Sequence, residues 1–188
     1  MLQGPNLRLE PLTKQGVEDV WNEIGEDEET WQWIAGTDPI PTSANDLVAA
    51  FTTRMKDPDA EFFCIRNHAG EAVGISSYLD IRPRDKHVEI GSTFIARRFR
   101  GGNTNYELKL LMLQEAFENR NCVRVTFKAN SRNQRSRLAI LRIGAIFEGE
   151  LRNQRQERDG SWRTAAIYSV IEQEWPSVKA HLEKKLGL

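Results

Sequence analysis

The run Arg97-Arg98-Phe99-Arg100-Gly101-Gly102-Asn103-Thr104-Asn105 gathers three guanidinium groups, two glycines and two asparagines just ahead of an apolar stretch with helical spacing. Where a strand runs into a helix, unpaired backbone N–H groups and the positive end of the helix dipole converge, and such a junction attracts an anion. Gly101 and Gly102 have no side chains to keep a phosphate from the main chain, and Asn103 and Asn105 are of a type that tolerates positive φ. Arg97, Arg98 and Arg100 add charge that can supplement those hydrogen bonds. The same residues also fit an ordinary turn with a solvated basic face, and spacing alone leaves both readings open. The run has neither the Gly-x-x-x-x-Gly-Lys-Ser/Thr order of a nucleoside-triphosphate loop nor the Gly-x-Gly-x-x-Gly of a dinucleotide fingerprint.

Other chemistry is sparse. Two cysteines, Cys64 and Cys122, sit inside apolar runs, and His68, His87 and His181 are scattered, so neither a disulfide framework nor a metal cluster is expected. Two isolated thiols fit a reducing cytoplasm. The 26 basic and 27 acidic side chains of the 188-residue chain leave a net charge of −1, which gives no whole-molecule field for nucleic acid or an anionic membrane. The charge is nevertheless unevenly placed: residues 1–60 hold 12 acids and 4 bases, whereas residues 97–163 hold 15 bases and 7 acids. That asymmetry suggests an anionic, phosphorylated ligand for the later segment. No window approaches a membrane span, and Met1 to Leu12 has no leader pattern.

The elements that position the basic run follow from periodicity. Asn6 to Leu12 alternates as a short strand, Thr13 caps a helix carrying Val17, Val20, Trp21 and Ile24, and Glu26 to Glu29 read as a charged loop. Ser43, three residues before Asp46, starts a second helix with Leu47, Val48, Phe51 and Met55 inward. The intervening stretch, with Trp31, Trp33, Gly36 and Pro39 to Pro41, reads as a substrate-facing loop. Strands at Glu61–Arg66, Ala72–Ile81 and Val88–Ile95 imply an antiparallel meander. A helix from about Tyr106 to Asn119, apolar on most of its circumference, and a strand from Cys122 to Ala129 then suggest a right-handed parallel crossover. Asn133 or Ser136 caps a short helix that Gly144 stops. Strands near Ala145–Arg152 and Trp162–Ile171, joined across Asp159-Gly160, and a tail helix from Trp175 to Leu186 complete a mixed α/β chain read as one domain over residues 1–188.

Arg100-Gly-Gly-Asn-Thr-Asn105 after Ile90-Gly-Ser-Thr-Phe-Ile95, with Glu107, Lys109, Asn133-Gln-Arg-Ser136 and Gly144-Ala145, resembles the GNAT superfamily of N-acetyltransferases, most closely its RimJ/RimL-like branch. Element order agrees from Leu7 to Leu186 and the motifs from Glu89 to Leu151. The resemblance implies a central mixed, mostly antiparallel sheet of six to seven strands flanked by about four helices, and acetyl-CoA as co-substrate. By resemblance, Arg100, Gly101, Gly102, Asn103, Thr104 and Asn105 form the pyrophosphate loop, with Asn103 and Asn105 at the glycine-type positions of the family pattern. The backbone at Phe94 and Ile95 pairs with the pantetheine arm, and Asn133 and Ser136 make the second cofactor contact. Many relatives carry a tyrosine acid seven residues after that asparagine; Ile140 stands there instead, which leaves Ser136 to hydrogen-bond the sulfur or simply to sit in a helix turn.

Amine attack on a thioester requires the free base, so a carboxylate or a water must take a proton. Glu89, in a Glu-Ile pair similar to that of the histone-acetyltransferase branch, is the candidate base; its other reading is a strand-edge carboxylate paired with Lys or Arg. His87 shares its strand face and is a candidate relay. A backbone N–H near Ile95 is the expected oxyanion donor. Trp31 and Trp33 either line the acceptor pocket or belong to the core, and the acidic N-terminal half is a candidate attractor for a cationic amine. The expected activity is direct acetyl transfer to a primary amine, of a small molecule or a protein N-terminus, by a cytoplasmic monomer or homodimer without metal, membrane or specific nucleic acid. Two alternatives stand beside it: a non-catalytic acyl-CoA-binding module, and an RNA-binding protein using the 11 basic residues between Arg120 and Arg163.

Overall fold

A computed structural model describes residues 1–33 and 38–188; Gly36, within the expected substrate-facing loop, lies outside the described residues. The chain runs β1 (Leu2–Gln3), β2 (Leu7–Pro11), α1 (Lys14–Ile24), α2 (Glu28–Trp31), α3 (Ala44–Arg54), β3 (Glu61–Asn67), β4 (Ala72–Arg82) and β5 (His87–Ile95). It continues through α4 (Thr104–Gln114), β6 (Arg124–Asn130), α5 (Gln134–Arg142), β7 (Ile146–Gln156), β8 (Trp162–Ile171) and α6 (Trp175–Leu186). Caps set several of these ends: Thr13 accepts from the Gly16 N–H, Ser43 from Asp46, and Asn133 from Ser136. Glu28 and Glu29 open the short helix α2 rather than lying in a charged loop, because Asp27 and the glutamates favour the positive end of a helix. α4 passes into a π-helical stretch, Glu115–Asn119, closed by the Arg120 N–H on the Glu115 carbonyl.

The strands form one mixed sheet in the order β1-β2-β3-β4-β5-β6-β8-β7, eight strands where six to seven were expected. The addition is β1, a two-residue strand antiparallel to β2. β2 to β5 form the antiparallel meander, and β5 pairs parallel with β6 through the α4 crossover. β8 then inserts antiparallel between β6 and β7.

Two apolar layers hold the sheet. On one face Tyr78, Val88, Ile90, Val125 and Phe127 pack beneath Leu108 and Met112 of α4 and Leu182 of α6. On the other, Phe62, Cys64 and Ile75 meet Val17 and Val20 of α1 and Leu47 and Phe51 of α3. Cys64 and Cys122 are free and buried, and burial pushes the Cys64 thiol up to about 11. α1 and α3 pack together and over β3 and β4, and neither packs broadly over β6, β8 or β7. The polar positions of those later strands on the α1 side, Thr126, Lys128 and Arg163 among them, are thereby left without a covering helix. Among the described residues no helix is long and apolar enough to cross a membrane.

Candidate active site

At the junction between β5 and α4 the main-chain N–H groups from Gly101 to Tyr106 have no hydrogen-bond partner among the described residues; the Glu107 N–H is the first to close an intrahelical bond, to the Asn103 carbonyl. Gly101 has φ +81°, which glycine adopts without penalty, and a Cβ at Gly101 or Gly102 would meet nothing within 4 Å. Bare amides therefore face open space at the positive end of α4, the geometry of an anion cradle. Asn103 does not use the positive φ anticipated for it. It sits at φ −76°, ψ −10°, already right-handed, and Asn105 is helical, so asparagine at these positions costs no backbone strain.

Two of the three arginine side chains, Arg98 and Arg100, are spoken for, and Arg97 is exposed. Arg100 donates from Nε to the Ile95 carbonyl at 2.7 Å, and from Nη2 to Asp27 Oδ2 and Thr30 Oγ1, each at 2.6 Å. Arg98 forks onto Glu23 at 2.8 Å and reaches Glu71 at 3.1 Å. Both were expected to supplement a phosphate; instead they tie β5 and the following loop to α1, α2 and the β3–β4 turn. Arg135 pairs with Glu29. Glu23, Asp27 and Glu29 are thus paired with these arginines, which leaves less of the acidic N-terminal half free to attract a cationic amine.

Next to the cradle the sheet opens. β5 and β6 pair only over His87–Glu89 with Arg124–Thr126, after which β5 continues to Ile95 and β6 to Asn130 without a ladder between them. A bulge drives the separation: Ser77 faces Gly91 and Ile75 faces Phe94, so β5 carries one extra residue, with Ser92 at φ +45°. Gly74 permits the crossing, since a Cβ there would lie 1.9 Å from the Phe94 carbonyl oxygen. The wedge exposes unpaired strand edges able to take an extended amide-bearing ligand as an added strand. The Ile95 carbonyl is not free for it, being held by Arg100.

Glu89 is the last β5 residue paired with β6 and stands at the apex of the wedge, nine-tenths buried. Its Oε2 lies 2.6 Å from Lys128 Nζ. The absence of a side chain at Gly91, where a Cβ would come 3.3 Å from Glu89 Oε1, leaves room for the carboxylate. His87 shares the face but bonds elsewhere: Nδ1 accepts from Arg82, so Nε2 carries the proton and meets Thr126 Oγ1 at 2.9 Å. Burial, then the Arg82 charge, lower its pKa and keep it neutral. Ser136 lies in the first turn of α5, half-buried. Asn133 caps that helix through its side chain, which commits Oδ1 to the Ser136 N–H. Ile140, at the tyrosine position, is buried in the core. Trp31 is buried too, packed between Trp21 and Phe94 in tilted pairs with centroids at 5.7 and 6.3 Å, and it edges a cavity of about 40 Å³ beside Asp38 and Arg54. Trp33 is half-buried.

The roles of several site residues escaped sequence reasoning. Lys109 of α4 is 5% exposed and donates from Nζ to Thr93 Oγ1 at 2.7 Å, and Thr93 meets Ser76 Oγ at 2.8 Å, a buried polar chain behind the bulge. Burial pushes Lys109 down to about 7. Glu107 of the same helix receives the Asn6 and Leu7 N–H groups at 2.7 and 2.8 Å and so fixes the start of α4 to β2. The signal was present: two charges in a helix apolar nearly all round must be buried and therefore paired. Lys128 carried only the signal of a polar residue alternating with Val125 and Phe127, and Arg163 carried no local signal. No group of three His, Cys, Asp or Glu placed to hold a metal occurs among the described residues.

The profile of the acetyltransferase (GNAT) domain family matches residues 6–146. The chain is similar to the crystal structure of a T. thermophilus protein named as an acetyltransferase, at 33% identity and TM-score 0.89, over 98% of this chain and 96% of that one. It is similar as well to a GCN5-related N-acetyltransferase from Brucella melitensis, at 25% identity and TM-score 0.89, over 97% and 83%. A spermidine N-acetyltransferase from Vibrio cholerae, solved with CoA and spermine, shares the fold at 14% identity and TM-score 0.74, over 92% and 99%. No curated protein sequence matches the chain.

Proposed function

Because the chain belongs to the GNAT acetyltransferase family and is an acetyl-CoA-dependent N-acetyltransferase, we propose that it is a RimJ/RimL-like enzyme, one domain over residues 1–188, that acetylates a primary amine of a small molecule or a protein N-terminus directly. The observation that carries this reading is the row of unpaired amides from Gly101 to Tyr106 beside the open β5–β6 wedge. Acetyl-CoA supplies an activated acyl group and a pyrophosphate, and the residues present fit it. Main-chain N–H groups at 101–105 donate to the phosphates. The β5 edge around Phe94 takes the extended arm, and a β5 N–H near Ile95 faces the developing oxyanion.

At the apex of the wedge Glu89, directly or through a water, accepts the proton that the ammonium must lose before nitrogen attacks. The amine nitrogen bonds the acetyl carbon to give the oxyanion, whose collapse breaks the carbon–sulfur bond with the electron pair on sulfur; the second nitrogen proton passes through water to the thiolate, and the Ser136 hydroxyl donates a hydrogen bond there. No covalent enzyme intermediate is required, which suits two buried, inert thiols. Asn133 acts by fixing the α5 turn that presents Ser136. Arg100 acts by holding the end of β5 against α2, and Trp31 by backing Phe94.

The RNA-binding reading is weakened, since five of its 11 basic residues, Arg120, Arg124, Lys128, Arg135 and Arg137, have an acidic partner. The non-catalytic module retains one supporting observation, Ile140 in place of an acid. Incubation with acetyl-CoA and a panel of amines and N-terminal peptides, read by mass spectrometry, decides between them. Acetylated product supports the enzyme, and tight CoA binding with no product from any amine refutes it.

A further inference from the structure

Beside Glu89 the uncovered sheet face carries a second feature that acetyl transfer to an ordinary amine does not use. Arg163 of β8 is half-buried, its Nε is fully buried without a hydrogen-bond partner, and among the described residues the side chain makes no ion pair. It lies on the same face as Lys128: Lys128 faces Ile167 across the β6–β8 ladder, and Ala165 and Arg163 follow at alternate positions. Ala165, between Arg163 and Ile167 on that face, adds no bulk beside it. Glu89 and Glu157 lie within electrostatic reach, and Arg155, its cross-strand partner on β7, opposes them. Glu157 is shared with Asn130, whose Nδ2 donates to it at 3.2 Å. A buried guanidinium edge with nothing to donate to is costly, and its planar fork matches a carboxylate.

We propose that the acceptor is a free α-amino acid or a close analogue, an amine whose carboxylate lies a few ångströms from the nitrogen, with the ammonium on Glu89 and the carboxylate on Arg163 and Lys128. The inference rests on the acetyltransferase reading above and names its substrate class. One carboxylate beside two cations is complementary to a zwitterion. A polyamine brings a second positive charge against Lys128 and Arg163, and a peptide N-terminus offers a neutral amide where Arg163 needs an anion. When the carboxylate docks, Lys128 is drawn off Glu89, which frees that oxygen to take the proton. One ammonium proton passes to Glu89 and on to solvent, the free amine then bonds the acetyl carbon, and the carbon–sulfur bond breaks with its electron pair on sulfur, the second nitrogen proton passing through water to the thiolate.

The test compares the twenty free amino acids with their methyl esters, which keep the amine and lose the charge, in wild type, Arg163→Met and Arg163→Lys. Coenzyme binding is followed by calorimetry in every sample. For the best amino acid, wild type is expected to prefer acid over ester by on the order of 100-fold in kcat/KM. The ratio should fall toward one in Arg163→Met and recover in part in Arg163→Lys, with acetyl-CoA affinity within about 2-fold throughout. Equal rates on acid and ester, an unchanged ratio in Arg163→Met, or turnover of spermidine or N-terminal peptides alone would overturn the substrate assignment while leaving the acetyltransferase intact. Coenzyme binding with no amine consumed would overturn both, and so would failure to bind coenzyme. Should Arg163→Met not fold, as judged by circular dichroism, Arg163→Gln is read in its place.

Discussion

Lys109 is the most consequential buried charge in the molecule, and replacing it with methionine isolates its effect. The side chain is 5% exposed with one hydroxyl partner, and burial takes it from the ordinary lysine value of 10.5 to about 7. Below about pH 7 the folded and unfolded chains are both protonated there, so the full penalty of a buried ammonium acts, about 5 kcal/mol at 1.36 kcal/mol per unit. Between about pH 7 and 10.5 the unfolded chain still holds a proton that the folded chain has released, so stability rises with pH. The lysine contributes a gain of about 2 kcal/mol between pH 7 and pH 9. Methionine fills similar space without titrating, and urea unfolding of both proteins across that range gives the difference directly. The cysteines and every other common group cancel in that difference. The gap, Lys109→Met minus wild type, is expected to be largest at pH 6 to 7 and to shrink steadily toward pH 9. Parallel profiles would show that Lys109 is solvated or ionised in the fold, and the buried chain through Thr93 and Ser76 would fall with it.

The remaining expectations concern the wedge and the cradle. Gly74→Ala drives a Cβ into the Phe94 carbonyl at 1.9 Å, where backbone has to give way, so a loss of about 2–3 kcal/mol and a melting temperature lower by roughly 5–10 °C are expected; an unchanged melt refutes the crossing. Gly102→Val places a branched side chain in the space meant for pyrophosphate, and acetyl-CoA affinity should fall at least about 10-fold with the fold intact; full affinity would displace the loop from the coenzyme. Glu89→Gln should lower kcat by on the order of 100-fold, most at the acid end of the pH–rate profile; a profile of unchanged shape removes Glu89 from proton transfer. Ser136→Ala should slow product release of the thiolate more than it weakens coenzyme binding, and equal losses in both would make Ser136 a binding residue alone.

How far the sequence carried depended on whether the signal was local. Caps and periodicity located nearly every element, because Thr13, Ser43 and Asn133 each act on a backbone group within three residues. The meander and the parallel crossover followed from element order. The insertion of β8 between β6 and β7 did not, since strand order at a sheet edge is decided by packing between residues far apart in the chain. The cradle was legible from Gly101 and Gly102, yet the fate of Arg98 and Arg100 was not: their partners, Glu23, Glu71, Asp27 and Thr30, lie 27 to 75 residues away. For the same reason Glu89 was found by type and position while Lys128, which sits on its carboxylate, gave no local sign of that pairing. Lys109 and Glu107 were quoted for the resemblance they carry, and the burial that gives them physical meaning required the sheet beneath.

Backbone amide resonances report the central claim most directly. On titration of isotopically labelled protein with CoA, saturable downfield shifts are expected at Gly101 through Tyr106, the amides with no partner in the free chain, together with changes along β5 at Phe94 and Ile95. Saturation accompanied by unmoved amides at 101–106 and shifts confined elsewhere, such as the groove between α5 and α6 lined by Arg142, His181 and Lys185, would contradict the account.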